Sequence, residues 1–74
     1  MRQLEEHFGA AVRRRRLKLG LSQEDFASKA GIHRTYVSSI ELGKVGISIG
    51  IASRLAEALG LPLSKLIQDA ERIK

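Results

Sequence analysis

Apolar positions recur along most of the chain at three- and four-residue steps, the spacing of helices buried on one side. From Gln3 to Leu19 the stripe is Leu4, Phe8, Ala11 or Val12, and Leu19, with Gly20 as a stop. Ser22 is an N-cap residue type, and Asp25 three positions later approximates a capping box, so a second helix opens there. Phe26, Ala27 and Ala30 form its inner face, and Gly31 ends it. A third helix is predicted from about Arg34 to Leu42, with Val37 and Ile40 inward and Gly43 as its stop. His33 falls at its N-cap, where His is a poor choice. Ser48 caps a fourth helix through Leu59, with Ala52, Leu55, Ala56 and Leu59 inside and Gly60 at its end. Pro62 begins a fifth, running to about Arg72, in which Leu63, Leu66, Ile67, Ala70 and Ile73 repeat at helical intervals. The stretch GKVGISIG is β-branched in part, but a lone strand has no partner, so it is a loop. The expectation is an all-α, five-helix fold in which residues 1–74 form one domain.

The polar positions between Gly31 and Glu41, GIHRTYVSSIE, then acquire a meaning. Residues 23–42 place apolar or small groups at Phe26, Ala27, Ala30, Ile32, Val37 and Ile40, with Gly31 between two helices. This is a helix-turn-helix pattern: a small Ala27 lets two helices cross closely, and Gly31 permits the positive φ of a sharp turn. With the apolar residues inward, the helical period turns Arg34, Thr35, Ser38 and Ser39 outward.

Charge gives that face a partner. Lys and Arg number 13 against 8 Asp and Glu, a net charge of +5, which suits a polyanion. Residues 1–40 hold eight basic and four acidic side chains (+4), residues 41–74 five and four (+1). With 43% apolar residues the chain can form a core, and 74 residues suffice for one. The absence of Cys removes disulfides, thiolate catalysis and Cys-based zinc sites. No apolar run reaches the roughly 20 residues that span a bilayer, and MRQLEEHF lacks the apolar stretch of a signal peptide, so a cytoplasmic location is expected. His7 and His33 are the only histidines and have no nucleophile, metal set or phosphate cradle around them, so neither an enzyme nor a cofactor or metal is expected.

The segment LGLSQEDFASKAGI, the Ile40 to Lys44 segment IELGK and the LAEALG ending of the fourth helix resemble the Xre-type family of DNA-binding domains, which includes the lambda and Cro repressors. The resemblance runs from about Phe8 to Ile67 and implies the lambda-repressor-like fold, with helices two and three as the motif. More narrowly, Arg34-Thr35-Tyr36-Val37-Ser38 followed by Ile40-Glu41 looks like the controller proteins of restriction-modification systems, short homodimers that regulate their own operon. The loop after Gly43 departs from the family's usual Pro-containing version.

In such domains the second motif helix enters the major groove with its N-terminal residues toward the bases. Arg34 is placed to donate two hydrogen bonds to a guanine, and Thr35 to touch a thymine methyl or a base edge. Ser38 is a further base-reading candidate, and Ser39 is one by correspondence with the family's base-reading position. Ser22 and Gln23 resemble the family's phosphate anchors. His33, Tyr36, Lys44 and Arg13 are further phosphate candidates. Arg16 corresponds to the family's buried arginine and Glu41 to its carboxylate partner. Arg14, Arg15 and Lys18 are read as a solvated face that accelerates association.

The fifth helix is too apolar for a solvent-facing tail, and one such domain contacts little DNA. Ile49, Ile51, Leu63, Leu66 and Ile67 are therefore expected to form a two-fold interface, setting the half-sites of a palindromic operator roughly 34 Å apart. No small-molecule ligand or membrane partner is expected. The alternatives are a phage-type repressor or antitoxin-like autoregulator and, from another class, a protein-interaction module with the same five helices.

Overall fold

The computed structural model describes residues 3–73, which form five α-helices: α1 (Gln3–Lys18), α2 (Gln23–Ala30), α3 (Arg34–Glu41), α4 (Ile49–Ala58) and α5 (Leu63–Arg72). Side chains start three of them. The Ser22 hydroxyl accepts from the Asp25 N–H at 2.9 Å, and that of Ser48 from the Ile51 N–H at 3.1 Å. Each such cap is worth about 1 kcal/mol. His33 caps α3 despite its residue type, with Nδ1 accepting the Thr35 N–H at 3.4 Å. Pro62 precedes α5 with no side-chain cap, as suits a ring already fixed near helical φ.

The core fills the space where α1 crosses α3 and α5, α2 packs on α3 and α4, and α4 packs on α5. Phe26, Leu55, Leu59, Leu66, Val12 and Val37 are its largest fully enclosed side chains. Burying one of this size contributes about 1.5–3 kcal/mol. The stripes expected for α2, α3 and α4 are all buried.

Helix α1 departs from expectation at both ends. Leu4 is 56% exposed and Leu19 43% exposed, whereas Phe8, Ala11 and Val12 are buried. The helix closes at Lys18, and the left-handed turn at Gly20 (φ 73°) carries the chain away, so that Leu21 takes the packing position expected of Leu19. Leu4 lies one turn beyond the core and borders a surface cleft. Gly9 makes the approach of α1 to α3 possible: a Cβ there would overlap the carbonyl oxygens of Ile40 and Glu41.

Candidate nucleic-acid interface

The turn between α2 and α3 is made by Gly31 in the left-handed region (φ 71°). The Gly31 N–H donates to the Ser28 carbonyl at 3.3 Å and the Ile32 N–H to the Ala27 carbonyl at 3.0 Å, which closes α2 and aims the chain into α3. In α3, Val37, Ile40 and Glu41 face the interior. Arg34 and Thr35, at the N-terminal end, are exposed, while Ser38 and Ser39 are half-buried. The outward edge of α3 is thus led by a guanidinium and a hydroxyl, with two smaller hydroxyls behind them.

Most of the remaining candidates flank that edge. Ser22 is exposed, and while its oxygen caps α2 its O–H stays available as a donor. Gln23 is half-buried, with one amide N–H donated to Glu41 Oε1 at 3.1 Å, leaving its second N–H for an outside acceptor. His33 and Lys44 are exposed, and the Lys44 N–H donates to the Ser39 carbonyl at 3.0 Å. Tyr36 is half-buried against the core. Arg13 is exposed on α1. Glu24 and Asp25, both exposed in the first turn of α2, place carboxylates beside Ser22 and Gln23 and reduce the attraction of that helix end for an anion.

Behind this surface lies a buried charge cluster. Arg16 Nε donates to Glu41 Oε2 at 2.7 Å and Nη2 to Oε1 at 3.0 Å, a bidentate pair whose side chains are 8% and 2% exposed. Arg16 Nη1 donates to the Leu21 carbonyl at 2.8 Å. One guanidinium therefore joins α1, the α1–α2 turn and the end of α3, while Glu41 also holds the first residue of α2. The hydrogen bonds that Arg16 donates to Glu41 raise the Arg16 pKa above the ordinary arginine value; burial opposes the rise and the charge of Glu41 reinforces it. The stabilisation carried by this raised pKa is complete at any pH below the ordinary arginine value and is lost only as pH climbs beyond it, so Arg16 remains a cation throughout the neutral range.

A helix-turn-helix family model matches residues 12–66, more than half of the chain. The chain belongs to the helix-turn-helix family. Among relatives of this helix-turn-helix chain, the control protein C.MunI of Mycoplasma is 38% identical over 73 residues, covering 97% of this chain and 99% of its own. The restriction-modification controller protein C.AhdI of Aeromonas hydrophila superposes with a TM-score of 0.81 at 35% identity, over 84% of this chain and 94% of its own. The controller protein C.Esp1396I, solved as a tetramer in complex with its natural 35 base-pair operator, gives 0.81 at 26% identity, over 93% of this chain and 96% of its own.

Two residues of this helix-turn-helix domain escape the sequence pattern. Gly9 carries a signal, since an isolated Gly inside a helical run often marks close packing. Arg15 carries none: its Nε donates to the Leu59 carbonyl, 44 positions away, at 3.3 Å. Arg15 is half-buried and ties α1 to the end of α4, which corrects its reading as part of a solvated face. The expected interface is corrected at Leu66, which is fully enclosed in the core and has no surface to offer a second subunit. Ile49 is 81% exposed, and Ile51, Leu63 and Ile67 are half-buried.

Proposed function

We propose that the chain is a homodimeric controller protein of a restriction-modification operon that binds a palindromic operator through α3. One observation carries the reading: Arg34 and Thr35 stand exposed at the leading end of a helix whose opposite side is fixed by Val37, Ile40 and the Arg16–Glu41 pair. A helix held from its buried side needs no ordering of its backbone when its outward side chains meet base edges, which favours sequence reading over loose adhesion. The likeness to proteins named as controllers, one of them seen on its operator, supports the same reading.

In this reading Arg34 donates to guanine O6 and N7, Thr35 meets a neighbouring base, and Ser38 and Ser39 reach base edges deeper along the helix. Ser22, Gln23, His33, Tyr36, Lys44 and Arg13 hold phosphates on either side and set the register. Ile49, Ile51, Leu63 and Ile67 form the two-fold contact. Ile49 and Ile67 line a cleft of about 280 Å³ walled also by Leu4, Val45 and Ile47, which a second copy would close. The protein works as a cytoplasmic regulator rather than an enzyme, without cofactor or membrane. Among the described residues, no helix is long and apolar enough to cross a bilayer.

Selection of bound sequences from random duplex DNA tests the proposal. A two-fold symmetric consensus is expected, and Arg34→Ala should lose about 1–3 kcal/mol and relax preference at one base pair of each half-site. Enrichment of no sequence, or an Arg34→Ala variant with unchanged affinity and preference, overturns it.

A further inference from the structure

The recognition edge leaves a second concentration of positive charge unexplained. A groove of about 500 Å³ runs between α1 and α5, edged by Arg14 and Lys18 on one helix and Lys65 and Arg72 on the other, with Ala11 and Leu61 in its lining. We propose that this groove docks an acidic peptide segment, carboxylates flanking an apolar side chain, from a protein that sits beside the DNA-bound regulator. The setting beside DNA rests on the proposed operator binding; the groove itself does not.

Its position decides against the operator as occupant. Gly9 and Arg16 mark the side of α1 that faces α3. Arg14 and Lys18 follow Gly9 by five and nine residues, so at 100° per residue they stand about 140° and 180° around the helix from it. A duplex seated on α3 is therefore on the far side of α1. The proposed dimer contact also leaves the groove open. Lys65 follows Leu63 by two residues and Arg72 follows Ile67 by five, about 160° and 140° around α5.

Its chemistry selects the ligand class. Arg14, Lys18 and Arg72 are exposed and make no ion pair among the described residues. The carboxylate in the groove, Asp69, is already paired with Lys65 at 3.2 Å. Arg15, also in the lining, spends its Nε on the Leu59 carbonyl and so offsets the negative end of α4, which would otherwise repel an anion. Leu61 is half-buried, which leaves an apolar contact that a phosphate backbone has no use for and that a Leu or Phe between two acidic residues would fill.

The test titrates a fluorescent peptide of Leu flanked by Glu onto the full chain, both free and bound to its selected operator, and compares an all-Glu peptide, inorganic polyphosphate and a non-operator duplex. Binding of the Glu-Leu peptide is expected in both states of the protein. The variant Lys65→Gln with Arg72→Gln, both changes being at exposed positions of the groove's α5 edge, should bind it about tenfold less tightly. Operator affinity should stay within about threefold, since charges this far from the duplex are screened at physiological salt. Backbone NMR shifts should centre on Ala11 and Leu61. Displacement of the peptide by operator DNA, an unaffected double variant, or equal binding of polyphosphate or non-operator duplex to the groove would each overturn the proposal. Peptide binding without any operator binding would instead count against the proposed function and leave the groove standing.

Discussion

Arg16 and Glu41 share two hydrogen bonds, at 2.7 and 3.0 Å, and the carboxylate oxygen that takes the longer one also accepts from Gln23. Removing one member strands the other's charge in the interior. Glu41→Leu should therefore lose on the order of 3–5 kcal/mol in urea unfolding, whereas Arg16→Met combined with Glu41→Leu should recover most of that loss. A double variant no more stable than the single one would mean that the pair contributes net stability.

Gly9→Ala sets two effects against each other. Alanine favours a helix by about 1 kcal/mol over glycine. The new methyl would, however, meet the carbonyls of Ile40 and Glu41, and forcing helices apart typically costs about 1–3 kcal/mol. Net destabilisation is expected, read as a lower Tm, and because α3 is the helix displaced, operator affinity should fall with it.

His33 caps α3 through a long 3.4 Å bond from the Thr35 N–H. Asparagine, among the best residues at this position, should raise stability by about 0.5 kcal/mol. Thermal unfolding followed by circular dichroism checks the sign. If His33 also touches phosphate, the same variant will gain stability while losing DNA affinity, which separates the two roles.

Ile49 projects into solvent, so Ile49→Asp leaves the monomer core intact. Sedimentation should show the variant dissociating at concentrations where the parent chain is dimeric. Its helical content should be unchanged. Identical sedimentation of the two proteins would exclude Ile49 from the subunit contact.

Helix limits were legible because local chemistry sets them: Ser22 and Ser48 carry their own acceptors, and Gly20, Gly31 and Gly60 adopt a backbone other residues resist. The inner faces of α2 to α4 followed from the spacing of their apolar residues. Helix α1 was harder. Apolar spacing shows which residues share a side but not how far the neighbouring helices extend, and Leu4 lies past their reach. The bond from Arg15 to the Leu59 carbonyl depends on a fold-level juxtaposition of α1 with the end of α4, and four consecutive arginines look alike until that juxtaposition exists. Arg34 and Thr35 were readable as exposed because Val37 and Ile40 leave them no other direction.

The bare backbone of Gly9 has a consequence for how such a protein changes over time. It locks α1 to α3 along one line, while the opposite flank of α1 touches neither that helix nor the turn before it. If Arg34 and Thr35 read the operator as proposed, substitutions that retune that reading leave the Arg14–Lys18 flank untouched, and the converse also holds. Selection can act on the two surfaces as separate traits carried by a single rod.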